Sequence, residues 1–220
     1  MNEGLFRNHL EKYRLANRLS KKAKVVSVSS GKGGVGKTFF TTNLAKVLVN
    51  NNKKVMLLDC DVYLSNCYLS LGVTPKKDIF DLIRGESIEN CITRVDGIDL
   101  LSGRSGNENY SEENYVETIL GVVQSFEYKY DYILLDCPAG IEKNVLSIIS
   151  YSDERFLILN PNKYSLTDSY SLIKSLRVKS GVKEFSIVVN RCNMESDEKD
   201  ISRRILNTCS SFLPDVKIKN

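Results

Sequence analysis

Eight consecutive residues, GKGGVGKT at 31–38, bring together four glycines, two lysines and a threonine. Gly31, Gly33, Gly34 and Gly36 let the backbone fold tightly, so that successive N–H groups turn inward around a chain of phosphates. Lys37 adds a point charge for the outer phosphates, and the Thr38 hydroxyl is placed to hold magnesium. The segment follows the apolar run VVSVSS and precedes TTNLAKVLVN, an order of strand, glycine loop and helix in which the helix start contributes its positive dipole end. The full G-x-x-x-x-G-K-T pattern in that context specifies a phosphate-binding P-loop.

Magnesium prefers oxygen ligands, and two further runs end in carboxylates. VMLLDCD supplies Asp59 and Asp61, and YILLDCPAG supplies Asp136. Acids at strand carboxyl ends lie where open α/β sheets bind ligands. A helix-capping role is the alternative for any one of them taken alone.

The elements that must position these residues follow from periodicity. Strand-like runs VVSVSS, VMLLD, IDLLS, YILLDCP, RFLILN, FSIVVN and VKIK alternate with helical patterns at 37–50, 112–128, 141–151, 165–180 and 197–212. This alternation predicts a single-domain α/β fold, a doubly wound, mostly parallel sheet flanked by helices, over residues 24–220. Residues 1–23 form a basic leader in which Phe6, Leu10 and Tyr13 fall at helical spacing, predicting an amphipathic helical extension.

Composition narrows the class. The six cysteines form no C-x-x-C pair and the one histidine, His9, is remote, so a zinc or iron–sulfur site is not expected. Cysteines inside apolar runs, with no signal-peptide pattern, predict reduced core thiols in a cytoplasmic protein. No run of about 18 apolar residues is present to span a membrane. A net charge of +4 allows weak attraction to nucleic acid or anionic lipid without demanding it.

With the early lysine, Lys32, GKGGVGKT resembles the deviant Walker A motif K-G-G-x-G-K-[ST] of the MinD, ParA and FlhG ATPases. LLDCDVYLSNCYLSLG resembles the first switch of that family and DCPAGIE its second. NPNKYSLTDSYSLIK resembles the strand-to-helix segment that follows, and VVNRC the adenine-recognition segment. Together these cover residues 24–193. DCPAG and SLTDSY place the resemblance nearest the MinD and FlhG branch.

The resemblance implies a homodimer when ATP is bound, with ATP or ADP and Mg2+ between two copies and Lys32 reaching the phosphates held by the partner. A cation supplied in this way stabilises a transferring phosphoryl group only when the interface closes. A solvated surface lysine is the other reading of Lys32. It further implies a weak ATPase, stimulated by a protein partner that reads the ATP state.

Carried over by position, Lys32, Lys37 and Asp61 are the catalytic residues, Asp61 orienting the attacking water. Thr38, Asp61 and Asp136 form the metal shell, and Asp59 is structural. Asn66, Asp136, Pro138, Ala139 and Gly140 are the switch residues. Nucleotide contacts fall on Gly31, Lys32, Gly33, Gly34, Val35, Gly36, Lys37, Thr38 and Phe39, with Asn190 and Arg191 at the adenine edge, where a side-chain amide both donates and accepts.

Several positions depart from the family pattern. Phe39 replaces a small or polar residue, Tyr63 a glycine, Cys67 and Tyr68 a Leu-Asp pair, and Asn162 the glutamate of N-P-E. The family's last elements are expected to be shortened or absent, so a carboxyl-terminal membrane helix is not assigned. The function implied is an ATP-dependent positioning switch of the FlhG or MinD type, acting on flagellum placement or the division site. A ParA-like DNA segregation ATPase, using Lys174, Arg177, Lys179, Arg203 and Arg204 on phosphates, is the alternative. A non-hydrolysing ATP-binding scaffold is the third reading, and contact with a membrane surface stays open.

Overall fold

The computed structural model describes residues 21–61, 65–103 and 112–219. Most of the leader helix expected at 1–23, and Tyr63, lie outside the described residues. The strands are β1 (Lys24–Ser30), β2 (Val55–Asp59), β3 (Thr93–Val95), β4 (Ile98–Leu101), β5 (Tyr132–Ala139), β6 (Glu154–Leu159), β7 (Glu184–Val189) and β8 (Lys217–Lys219). The described helices are α1 (Lys37–Asn50), α2 (Cys67–Ser70), α3 (Ile79–Ile83), α4 (Ile88–Cys91), α5 (Glu112–Phe126), α6 (Lys143–Tyr151), α7 (Lys163–Ser180) and α8 (Glu195–Phe212). The result is an α/β fold with an eight-stranded, mostly parallel sheet, as the alternation of patterns requires.

The chain forms two compact units, and β1 and β5 each run from one into the other. The first takes the chain up to Val26 and Thr38–Asp136. Its strands are hydrogen-bonded in the order β3-β4-β2-β5. β2 is parallel to both neighbours, and the register sets Asp59 opposite Asp136. Both faces of β2 are covered, which is why VMLLD is apolar without alternation and buried throughout. Ile119, Val122, Val123 and Phe126 recur at helical spacing on α5 and are all buried.

The antiparallel edge strand β3 is an element the periodicity reading does not find. Thr93–Val95 is too short to show alternation, yet the Asp96-Gly97 pair that follows marks it. Both residues have positive φ, 49° and 79°, as a two-residue primed hairpin turn demands. Helices α2, α3 and α4 were also not anticipated. They span four or five residues, less than two helical turns, so no period can register.

The second unit takes Ser27–Lys37 and Cys137–Asn220. Within it β6, β7 and β8 are parallel and adjacent. Leu172, Ile173 and Leu176 of α7 and Ile201 and Ile205 of α8 are buried. Asn162 caps α7 by accepting from Ser165 N at 2.9 Å, and Gly181 closes it with φ 70°. The Arg155 guanidinium donates to the carbonyls of Ile149, Ser150 and Ser152 at the end of α6. Burial pulls its pKa down, against the pull of Asp153 and Glu184.

Candidate functional site

In the second unit β1 ends at Ser30 and the glycine loop begins. Ser30 Oγ donates to Lys32 O at 2.6 Å and accepts from Lys37 Nζ at 3.0 Å, so one hydroxyl ties both ends of the loop. Gly34 and Gly36 sit at φ 74° and 102°, conformations that L side chains rarely adopt. A Cβ at Gly31 would overlap the backbone carbonyl of Asp168. Between these glycines Val35 is buried and anchors the loop to the core.

Lys32 is exposed, and its Nζ lies 5.9 Å from the ring centroid of Tyr164, itself 76% exposed. Asn190 Nδ2 donates to Val35 O at 2.8 Å, and Asn190 Oδ1 accepts from Arg191 N at 2.9 Å. Arg191 is exposed with φ 60°. Pro138, Ala139 and Gly140 are half-buried at the end of β5, where Gly140, φ 116°, donates its N–H to Ser30 O at 3.1 Å. Gly140 is thus tied to the residue that precedes the loop.

In the first unit the polar centre is Asp136, 3% exposed. Its Oδ2 accepts from Thr38 Oγ1 at 2.6 Å and from Cys67 Sγ at 3.3 Å, and its Oδ1 from Thr41 Oγ1 at 3.0 Å. The buried face of α1 is accordingly hydroxylic, Thr41 and Thr42 with Ala45, instead of an apolar stripe. Thr42 Oγ1 also lies 3.0 Å from Ser70 Oγ of α2. Phe39 points outward, 68% exposed.

Asp59 gathers the donors that follow β2. Its carboxylate accepts from Asp61 N at 3.1 Å, Ser65 Oγ at 2.6 Å, Asn66 N at 2.9 Å and Cys67 N at 2.9 Å. Burial first, and the neighbouring Asp136 second, push its pKa up to about 6, against those hydrogen bonds. Burial and both carboxylates raise the Cys67 thiol well above its ordinary value, so it stays protonated as a donor. Asp61, two residues past the end of β2, is half-buried, and Asn66 is exposed.

The donor atoms of Asp59, Cys67 and Asp136 lie within 4.8 Å of one another, close enough to hold a metal ion. Of the metal shell expected from sequence, Thr38 and Asp136 are in direct contact. A hydroxyl beside ionisable carboxyls is a hard-oxygen set of the kind magnesium takes. Sequence reasoning did not place Cys67 here. Its signal was the departure from the family pattern in the first switch.

Comparison with known proteins identifies the family and the fold. A family model described as an AAA domain matches residues 23–184. The antiactivator FleN of Pseudomonas aeruginosa is 30% identical over 195 residues, covering 86% of this chain and 69% of FleN. The solved septum site-determining protein MinD of Pyrococcus horikoshii, complexed with Mg-ADP, is 29% identical with a TM-score of 0.67, covering 81% of this chain and 77% of that one. MinD in the MinC:MinD cell division complex of Aquifex aeolicus is 28% identical with a TM-score of 0.67, over 89% and 80%. The chain spans about two thirds of the length of the curated relatives it matches.

Proposed function

The chain belongs to the MinD/ParA/FlhG family of P-loop ATPases, and from that premise we propose that it is a nucleotide-driven switch that binds Mg·ATP, pairs with a second copy and hydrolyses ATP to ADP and phosphate. The observation that carries this reading is the Thr38 hydroxyl seated on Asp136 at 2.6 Å, immediately after a lysine tethered to the Ser30 hydroxyl that precedes the loop. Magnesium fits that pair, and when bound it neutralises charge on the outer phosphates. Loop N–H groups and Lys37 bind the phosphate chain, Thr38 and Asp136 hold the metal shell, and Asp61 orients water.

A switch needs contacts that differ between its two states. Lys32 supplies one. It is exposed and rests on Tyr164 of its own chain, so a partner's phosphates can recruit it at little cost. FleN is named an antiactivator and MinD a septum site-determining protein. By likeness to them, the ATP-bound pair acts on a protein partner and positions a flagellum or a division site. Arg203 and Arg204 both pair with Asp200, and Arg177 pairs with Asp215. Three of the five basic residues that DNA would use are thus engaged by carboxylates, which favours the switch over a DNA-segregation role.

Calorimetry with Mg·ATP and light scattering with and without nucleotide test the proposal. Binding accompanied by a doubling of mass supports it, and absence of heat with folded protein overturns it. Lys32→Ala is expected to keep Mg·ADP affinity within about threefold, because an exposed lysine contributes little to ground-state binding, while losing phosphate release. Comparable, measurable phosphate release by the two proteins would argue against Lys32 as a catalytic contributor, and negligible release by the wild-type protein would favour the scaffold reading.

A further inference from the structure

The buried centre of the glycine loop is held from behind by two amides. Asn190 Nδ2 donates to Val35 O at 2.8 Å. With the Asn160 amide turned so that its nitrogen meets acceptors, Asn160 Nδ2 donates to the same Val35 carbonyl at 3.3 Å and to the Asn190 carbonyl at 3.2 Å. The two residues immediately follow β6 and β7, which are parallel neighbours, and Asn190 N donates to Leu159 O at 2.8 Å. Asn160 is fixed further by its N–H on Ser165 Oγ at 3.0 Å, at the start of α7.

The consequence lies in the peptide that joins Val35 to Gly36. A trans peptide carries its C=O and N–H on opposite sides, and no described peptide is cis. Anchoring the Val35 carbonyl on the amide pair therefore turns the Gly36 N–H the other way, toward the concave side of the loop. Gly36 adopts φ 102°, and a Cβ there would overlap Asn190 Nδ2. Loop and amide are built against each other.

The geometry points to Asn190, assisted by Asn160, as a positioning residue that presets the Gly36 N–H for a phosphate oxygen. This deepens the nucleotide reading and rests on it. An asparagine amide has two N–H donors and an oxygen acceptor. Val35 takes one donor and Arg191 N occupies the oxygen, which locks the carboxamide plane whether or not a base is bound. Orienting the donor in advance removes the reorganisation that a flexible loop undergoes on binding.

Magnesium tripolyphosphate, which has a phosphate chain and no base, separates positioning from base reading. Calorimetry on the full chain is expected to show Asn190→Ala lowering affinity for Mg·ADP and Mg·tripolyphosphate by the same factor, roughly five- to tenfold. Asn160→Ala shifts both in the same direction by less, and it carries the test should Asn190→Ala fail to fold. In the nucleotide-free protein the 1H–15N heteronuclear NOE of the Gly36 amide is expected to fall in both variants, with hydrogen-exchange protection unchanged along Leu157–Leu159. Loss of Mg·ADP affinity with tripolyphosphate binding unchanged would overturn the positioning role, as would an unaltered heteronuclear NOE at Gly36. Wild-type protein that binds neither ligand would overturn the nucleotide reading, and the Gly36 NOE would still report whether the amide pair orders the loop.

Discussion

Asp59 and Asp136 are register partners on the adjacent parallel strands β2 and β5, 1% and 3% exposed. Each spends its oxygens on a different set of donors. Asp59 gathers the N–H groups of Asp61, Asn66 and Cys67 with the Ser65 hydroxyl, and Asp136 gathers hydroxyls from α1 with the Cys67 thiol. Cys67 contacts both through separate atoms, so it joins the two carboxylates into one arrangement.

Asp59→Asn is expected to destabilise the fold by about 2 kcal/mol, since an amide nitrogen would face donors that now reach a carboxylate. Urea denaturation measures the loss, and hydrogen exchange should quicken at Asn66 and Cys67 while Ile133–Leu135 stay protected. Unchanged protection at Asn66 and Cys67 would contradict the organising role.

Thr38→Ala should remove the magnesium dependence of nucleotide binding. The hydroxyl and Asp136 share one hydrogen bond, and loss of a charged bond of this kind corresponds to about 2 kcal/mol. Mg·ADP affinity is expected to fall roughly thirtyfold in magnesium, by that same conversion, and to change little in EDTA. A similar drop in both buffers would show that the loop, not the metal, had been damaged.

Gly36→Ala meets two obstacles at once, a φ of 102° and the Asn190 amide in the place of the new methyl. A cost of at least about 1 kcal/mol follows from backbone conformation alone. Mg·ADP heats should vanish while the circular dichroism spectrum is kept. Full binding by the variant would argue that the loop has a different resting conformation.

Away from the site, Asp99 accepts from Arg94 at 2.7 Å and 3.1 Å and from Tyr130 at 2.7 Å. Burial alone would raise its pKa, but the Arg94 and Tyr130 bonds together hold it below the ordinary value. The folded-state pKa is thus lower than the unfolded one. The stabilisation is present above the unfolded value, about 3.9, and is lost as pH falls through the folded value. Tyr130→Phe should cost about 1 kcal/mol at pH 7 and progressively less as the pH is lowered through the folded value. A loss that stays constant along the acid series, read from urea midpoints, would contradict this assignment.

The phosphate loop was legible because its chemistry is local. Positive φ at Gly34 and Gly36, a lysine and a hydroxyl in succession, and a strand before a helix are all properties of neighbouring residues. The central strand β2 showed for a related reason: burial on both faces makes VMLLD apolar from end to end. The Asp96-Gly97 turn was equally local, yet the strand before it was too short for periodicity to reveal.

What the chain order by itself determined is therefore an α/β fold with a glycine loop at its first crossover and acids at strand ends. Which acids work together was decided only by tertiary structure. Register between β2 and β5 brought Asp59 to Asp136 across 77 positions of sequence, and the pairing of β6 with β7 brought Asn160 and Asn190 to one carbonyl of the loop. Hydrogen bonds between strands carry no signature in the local pattern of either strand. Neither the sharing of donors around Asp136 nor the anchoring of Val35 can be read until the sheet is assembled.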